Sequence, residues 1–202
     1  MVDTRYLNGA SILISVDGSG SMDNYSNSMK KARNMVATLY ESIEGVPNIN
    51  LQCIVWSGSS DGEGTMEVTH IKSLKDTVKM GCHDSYPLTP THMAIQYSSN
   101  MMRAMPGRKK LLIIITDGYP QAVKNGVEMS KEVLCNMARK EMAKALRKCP
   151  NIVGMLITPN SVAKECCKTI FGKRFLVVEN MNEGAKIITK QFQKLVAGVL
   201  GR

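Results

Sequence analysis

Ile12-Leu13-Ile14-Ser15-Val16-Asp17-Gly18-Ser19-Gly20-Ser21-Met22 decides how the rest of the chain is read. Ile12 to Val16 is apolar almost throughout, as a strand buried on both faces must be. After Met22 the pattern changes to helical periodicity. One carboxylate and two hydroxyls therefore stand on a loop at the carboxyl end of a strand, the edge at which open α/β sheets bind ligands. Gly18 and Gly20 let such a loop curl without steric cost, so that all three oxygens can face one point. Converging hard oxygens suit Mg²⁺, Mn²⁺ or Ca²⁺ rather than zinc. Asp, Ser and Gly are also ordinary turn residues, so the choice between a turn and an ion site falls to the rest of the chain.

Outward from this stretch, strands and helices alternate. Met29, Ala32, Val36, Leu39 and Ile43 recur at three- and four-residue intervals and mark an amphipathic helix. Gly45-Val46-Pro47 ends it. Leu51 to Trp56 reads as a second strand and Thr65 to Ser73 as a third, joined by a polar, glycine-rich turn. That turn implies an antiparallel hairpin, with the third strand at a sheet edge. Residues 74–91 read mostly as loop, and Met93 to Met105 as a helix stopped by Pro106-Gly107. The most apolar run follows, Leu111-Leu112-Ile113-Ile114-Ile115-Thr116-Asp117, the signature of a central parallel strand. Val127, Leu134, Ala138, Met142 and Ala145 stripe a long helix, with Lys140, Lys144 and Lys148 on its outer side. A strand from Ile152 to Thr158, a helix from Ser161 to Phe171 and a strand from Arg174 to Glu179 come next. Ala185, Ile188, Phe192, Leu195 and Val199 stripe a closing helix.

This succession predicts an α/β fold: a doubly wound, Rossmann-like sheet of order 3-2-1-4-5-6, mostly parallel, with one antiparallel edge strand and helices on both faces. Residues 1–10 are expected to be a lead-in and 11–202 a single domain. In that order the strands ending at Asp17 and Asp117 are neighbours, and the crevice between them is the topological switch point. Two carboxylates facing one crevice favour the ion over the turn.

Composition narrows the function. Hydrophobic residues make up 44% and charged residues 21%, a globular mixture without an apolar run long enough for a membrane span. Met1-Val2-Asp3-Thr4-Arg5 has no apolar signal core, so a cytoplasmic protein is expected. The 6 cysteines form no C-x-x-C pair, and reduced, mostly buried thiols are the favoured reading. The net charge of +9 is spread over Lys30-Lys31, Arg108-Lys109-Lys110, Lys140 to Lys148 and Lys173-Arg174. No aromatics are interleaved with them and no nucleic-acid motif appears, so a solvated surface is preferred to nucleic-acid binding.

Leu88-Thr89-Pro90-Thr91-His92 supplies the last element. Asp17-x-Ser19-x-Ser21, then Thr89, then Thr116-Asp117-Gly118 resembles the metal-ion-dependent adhesion site of von Willebrand factor A domains, and the strand-helix succession resembles that family from residue 11 to 199. The resemblance implies a metal site of Asp17, Ser19, Ser21, Thr89 and Asp117. Ser19, Ser21 and Thr89 would offer hydroxyls to Mg²⁺, Mn²⁺ or Ca²⁺, and Asp17 and Asp117 would act partly through water. It also implies a protein partner that completes the sphere with an Asp or Glu, and such low charge suits an incoming carboxylate. Leu111 to Pro120 and Ile170 to Glu179 look like the A domains of cobalt-chelatase subunits and nitric oxide reductase activation proteins. Those relatives work with MoxR-type AAA+ ATPases, and this chain has no Walker A motif of its own. The resulting expectation is a non-enzymatic, metal-dependent interaction module, a bare A domain acting as adaptor to such an ATPase.

Other chemistry is weaker. Gly58-Ser59-Ser60-Asp61-Gly62 matches G-x-S-x-G but leads to a strand rather than a helix. Cys82-His83-Asp84 lacks matching soft ligands elsewhere. His70 and His92 read as structural. A Mg²⁺-dependent phosphatase or nuclease is the enzyme alternative, without a clear base or nucleophile in the crevice. RNA binding through the basic surface is the remaining one.

Overall fold

The structure, a computed structural model, describes residues 9–24, 27–44, 46–59, 65–81, 88–124, 126–157 and 160–178. Strand β1 (Ala10–Asp17) is buried at every residue. It pairs in parallel with β2 (Ile49–Gly58) on one side and with β4 (Lys109–Thr116) on the other. β3 (Met66–Ile71) runs antiparallel to β2 at one edge, while β7 (Ile152–Ile157) and β8 (Phe175–Val178) extend the sheet beyond β4 in parallel. The order is β3-β2-β1-β4-β7-β8, the expected 3-2-1-4-5-6 with one antiparallel edge strand. Asp17 ends β1 opposite Trp56 of β2, and Asp117 follows β4 directly. The apolar strands therefore set two carboxylates side by side at the switch point.

Helices cover both faces. A single turn, α1 (Ser21–Asn24), precedes α2 (Ser28–Ile43), which packs Met29, Ala32, Met35, Val36 and Leu39 on one face against Ile12, Ile14, Val55 and Ile113. The other face receives α3 (Thr91–Ala104), α4 (Lys131–Lys148) and α5 (Ser161–Phe171) over Leu13, Ile54, Trp56, Leu112 and Ile114. Five cysteines, Cys53, Cys135, Cys149, Cys166 and Cys167, are buried free thiols.

The structure departs from the sequence reading at several places. Val127 is not in the long helix. It lies in a small hairpin, β5 (Val123–Lys124) with β6 (Val127–Glu128), that turns through Gly126 at φ +73°. The Ser130 side chain accepts from the Val133 N–H and starts α4 one residue later, which excludes Val127 from the apolar stripe. Leu74–Lys79 is a 3-10 helix rather than loop. The Ala185–Val199 stripe, Cys82-His83-Asp84 and most of the lead-in lie outside the described residues.

Candidate metal centre

Asp17 is wholly buried and held from both sides. Its Oδ1 accepts the Ser19 backbone N–H at 2.9 Å, and its Oδ2 accepts the Thr116 hydroxyl at 2.5 Å. Thr116 Oγ1 in turn accepts the Gly118 N–H at 3.2 Å, tying the two loops together. Ser21 Oγ donates to Asp117 Oδ1 at 2.8 Å and lies 3.2 Å from Ser19 Oγ. Four of the five expected ligands thus form one connected cluster across the β1–β4 crevice.

Thr89 arrives from a separate direction. Its N–H donates to the Gln121 carbonyl and its carbonyl accepts the Gln121 N–H, both at 3.0 Å. The Leu88 carbonyl accepts the Gly58 N–H at 3.0 Å, so the end of β2 and the loop after β4 clamp this segment at the carboxyl edge. Thr89 itself is 2% exposed. Among the described hydrogen bonds none joins its side chain to the other four residues.

Gly18 takes no positive φ, so its lack of a side chain is used in another way than a left-handed turn. Gly18 is required by proximity. A Cβ there would stand 2.7 Å from Val55 Cγ1, and its N–H donates to the Trp56 carbonyl at 2.7 Å. The loop is pinned to β2 rather than curled freely.

Electrostatics match the donor set. Burial, opposed in part by the Thr116 hydroxyl, raises the Asp17 carboxyl to about 7, and the Asp117 charge pushes the same way. Burial also raises Asp117, against hydrogen bonds from Ser21 and Ser28. Among the described residues, no lysine or arginine is one of the main groups acting on either carboxyl. Two carboxylates kept from water without a protein cation favour a bound cation from solution. Among the described residues no three His, Cys, Asp or Glu side chains gather at one point, so an ion held here would draw on the neighbouring hydroxyls as well as the carboxylates. This set of hard oxygens fits Mg²⁺, Mn²⁺ or Ca²⁺.

Two contributors went unassigned in the sequence. Thr116 orients Asp17; the sequence placed it within the Thr116-Asp117-Gly118 segment but gave it no role of its own. Ser28 bonds Asp117 and is fully buried at the start of α2, where nothing in its neighbours marks it.

A doubly wound sheet with two aspartates and neighbouring hydroxyls at its switch point defines a Rossmann-like α/β domain. The model of the von Willebrand factor type A domain matches residues 11–143, and the chain belongs to that family. Solved structures share the fold. The vWF domain of the type V pili tip protein Mfa5 from Porphyromonas gingivalis superposes with a TM-score of 0.71 at 10% identity, over 95% of this chain and 96% of that one. The pilus adhesin SpaC from Lactobacillus rhamnosus GG, in its open conformation, gives 0.70 at 14% identity, over 95% of this chain and 30% of that one. The D319A mutant of the PilB minor pilin from Streptococcus sanguinis gives 0.70 at 13% identity, covering 96% and 64% respectively. The chain thus spans less than two thirds of the adhesin and of the minor pilin. No curated protein matches its sequence.

Proposed function

We propose that this domain is a protein-docking module that grips an acidic side chain of its partner through a divalent ion at the β1–β4 crevice. The observation that carries the proposal is the cluster Asp17–Ser19–Ser21–Asp117, two buried carboxylates hydrogen-bonded to hydroxyls, with no cation of the described residues among the main groups acting on them. Ser19, Ser21 and Thr89 would hold the ion and Asp17 and Asp117 would back them. A bound ion would supply a Lewis-acidic docking point, and a low-charge oxygen set would leave it attractive to an incoming carboxylate. The chain's own residues orient these oxygens: Thr116 fixes Asp17, Ser21 fixes Asp117, and Gln121 fixes the Thr89 backbone.

No catalytic role is assigned, since the serines that could attack a substrate are the groups needed as ligands. The finer reading names the partner as a MoxR-type AAA+ ATPase in the cytoplasm, with this domain as its adaptor in a chelatase-like or remodelling complex. It rests on the resemblance of Leu111 to Pro120 and Ile170 to Glu179. The reading is tested by titrating Mg²⁺ into wild type and Asp17→Ala by calorimetry, then capturing partners in Mg²⁺ and in chelator. Loss of heat in the variant, together with a partner retained only in Mg²⁺, supports docking. Equal Mg²⁺ affinity in both proteins refutes the site. Complexes with an adjacent-gene ATPase that ignore both chelator and Thr89→Ala refute the ATPase reading alone.

A further inference from the structure

Two of the basic groups that look dispersed in the sequence, and the end of a third, meet at one edge of the fold. Parallel strands begin together, so the N-terminal ends of β4, β7 and β8 share the edge opposite the metal centre. Lys109 begins β4, Asn151 immediately precedes β7, and Lys173 and Arg174 immediately precede β8. The C-terminal turns of α3, α4 and α5 descend to the same edge, bringing Arg103, Arg147 with Lys148, and Lys168. Direct bonds stitch the edge together: Asn151 Nδ2 donates to the Lys110 carbonyl at 3.1 Å, and the Leu112 N–H donates to the Asn151 carbonyl at 2.9 Å.

Some of these cations have structural work. Lys110 Nζ donates to the carbonyls of Met102, Arg103 and Met105 at 2.8, 3.0 and 2.9 Å, closing the end of α3. Lys148 Nζ donates to Asn100 at 2.8 Å. Arg103 and Arg147 complement helix C-termini, a stabilising position for a cation. That reason does not extend to Arg108, Lys109, Lys173 or Arg174, which lie outside the α-helices. Segments 103–112, 142–152 and 166–175 contain no Asp or Glu at all. Glu41 and Glu44 close α2, toward the β2 side of the edge.

The chemistry selects the partner. Protein interfaces need buried apolar or aromatic anchors. The large hydrophobic residues exposed among the described residues are Leu74, Val78, Tyr97, Val127, Val133 and Val162, and none belongs to this edge. Single-stranded nucleic acid is held by stacking on aromatics, and no exposed aromatic is described here. A row of cations with no anchor or stacking platform among the described residues fits a regular array of phosphates, which is bound by charge alone.

We propose that the edge formed by Arg103, Arg108, Lys109, Arg147, Lys173 and Arg174 binds the phosphate backbone of double-helical DNA without reading its sequence. With about five phosphate contacts, the logarithm of affinity falls with that of salt at a slope of about −4.5, roughly 500-fold between 50 and 200 mM. The test is fluorescence anisotropy with a labelled 20-base-pair duplex of mixed sequence. It compares wild type, the variant Arg108→Glu/Arg147→Glu/Arg174→Glu, and a charge-matched control, Lys30→Glu/Lys75→Glu/Lys124→Glu. Thermal melting verifies that both variants fold. The edge variant is expected to lose at least tenfold in affinity at 50 mM salt and to flatten the slope by about 2.7, with the control within threefold of wild type. Equal losses in both variants would reduce the effect to net charge and overturn the proposal. So would a single-stranded oligonucleotide or polyglutamate of equal length displacing the duplex at equal concentration.

Discussion

Asp17 is a carboxyl group with no access to water and a second carboxyl beside it, and both facts hold its folded value near 7. The unfolded chain ionises this group at about 3.9. Without metal, the native protein therefore retains a proton that the unfolded chain has released between about pH 4 and 7. Stability of the metal-free protein is expected to fall as pH rises through that window, by on the order of a few kcal/mol, and to level off above it. Urea midpoints measured in chelator from pH 5 to 8 check this; a flat profile, or one unchanged by Asp17→Asn, contradicts it. Metal binding at the proposed site would have the opposite pH dependence. Below pH 7 the ion must displace the Asp17 proton, so Mg²⁺ affinity should fall by about tenfold per pH unit, as calorimetry can read. Thr116→Val tests the neighbour: it keeps the volume but removes the donor to Asp17 Oδ2. A loss of about 1–3 kcal/mol is expected from the orphaned acceptor, with the pH window moving upward because that hydroxyl lowers the carboxyl's value. A midpoint within error of wild type would contradict that role for Thr116.

The α4–α5 layer has its own tests. Gly154 of β7 lies under the Phe171 ring of α5, and a Cβ at 154 would meet that ring at 2.5 Å. Gly154→Ala is expected to cost about 1–3 kcal/mol by overpacking, measured by chemical denaturation, and Phe171→Leu in the same chain should recover part of it. The thiols of this layer are shielded. Burial raises Cys135 and Cys167 to about 12, with the Cys166 thiol adding to both. Peptide mapping after iodoacetamide at pH 8 should find Cys135 and Cys167 unmodified in native protein and modified in urea; native labelling would contradict the burial. The sequence made most of these elements legible, because parallel strands buried on both faces show as aliphatic runs and their helices as stripes. It concealed the β5–β6 hairpin, whose two-residue strands carry no periodicity and whose Val127 falls in phase with the α4 stripe. Asp17, Ser19, Ser21 and Asp117 were readable because the loop spacing and the strand ends both announce them. Thr116 and Ser28 were not, since each acts on a residue distant in sequence and becomes visible only when β1, β4 and α2 come together.

Taken whole, the described sheet has different chemistry at its two edges, clustered carboxyl and hydroxyl oxygens at one and cations at the other. The basic edge could not be read from sequence, because its members are gathered only by the parallel start of β4, β7 and β8. The eight residues of β4 span this distance, about 26 Å at strand rise and well beyond the Debye length at physiological salt. The edges should therefore act independently. Arg108→Glu/Arg147→Glu/Arg174→Glu is expected to leave Mg²⁺ affinity within twofold of wild type, and a larger change in calorimetry would reveal coupling. The placement of Asp17 and Asp117 also has a mechanical side. They terminate β1 and β4, adjacent inner strands, and each of those strands is paired in parallel on both flanks. Tension applied at these two residues along the strand direction enters the middle of the sheet. It must shear several ladders of backbone hydrogen bonds at once, instead of peeling an edge strand one bond at a time. A cargo held at this edge by a single ion contact would tear loose before the sheet gave way.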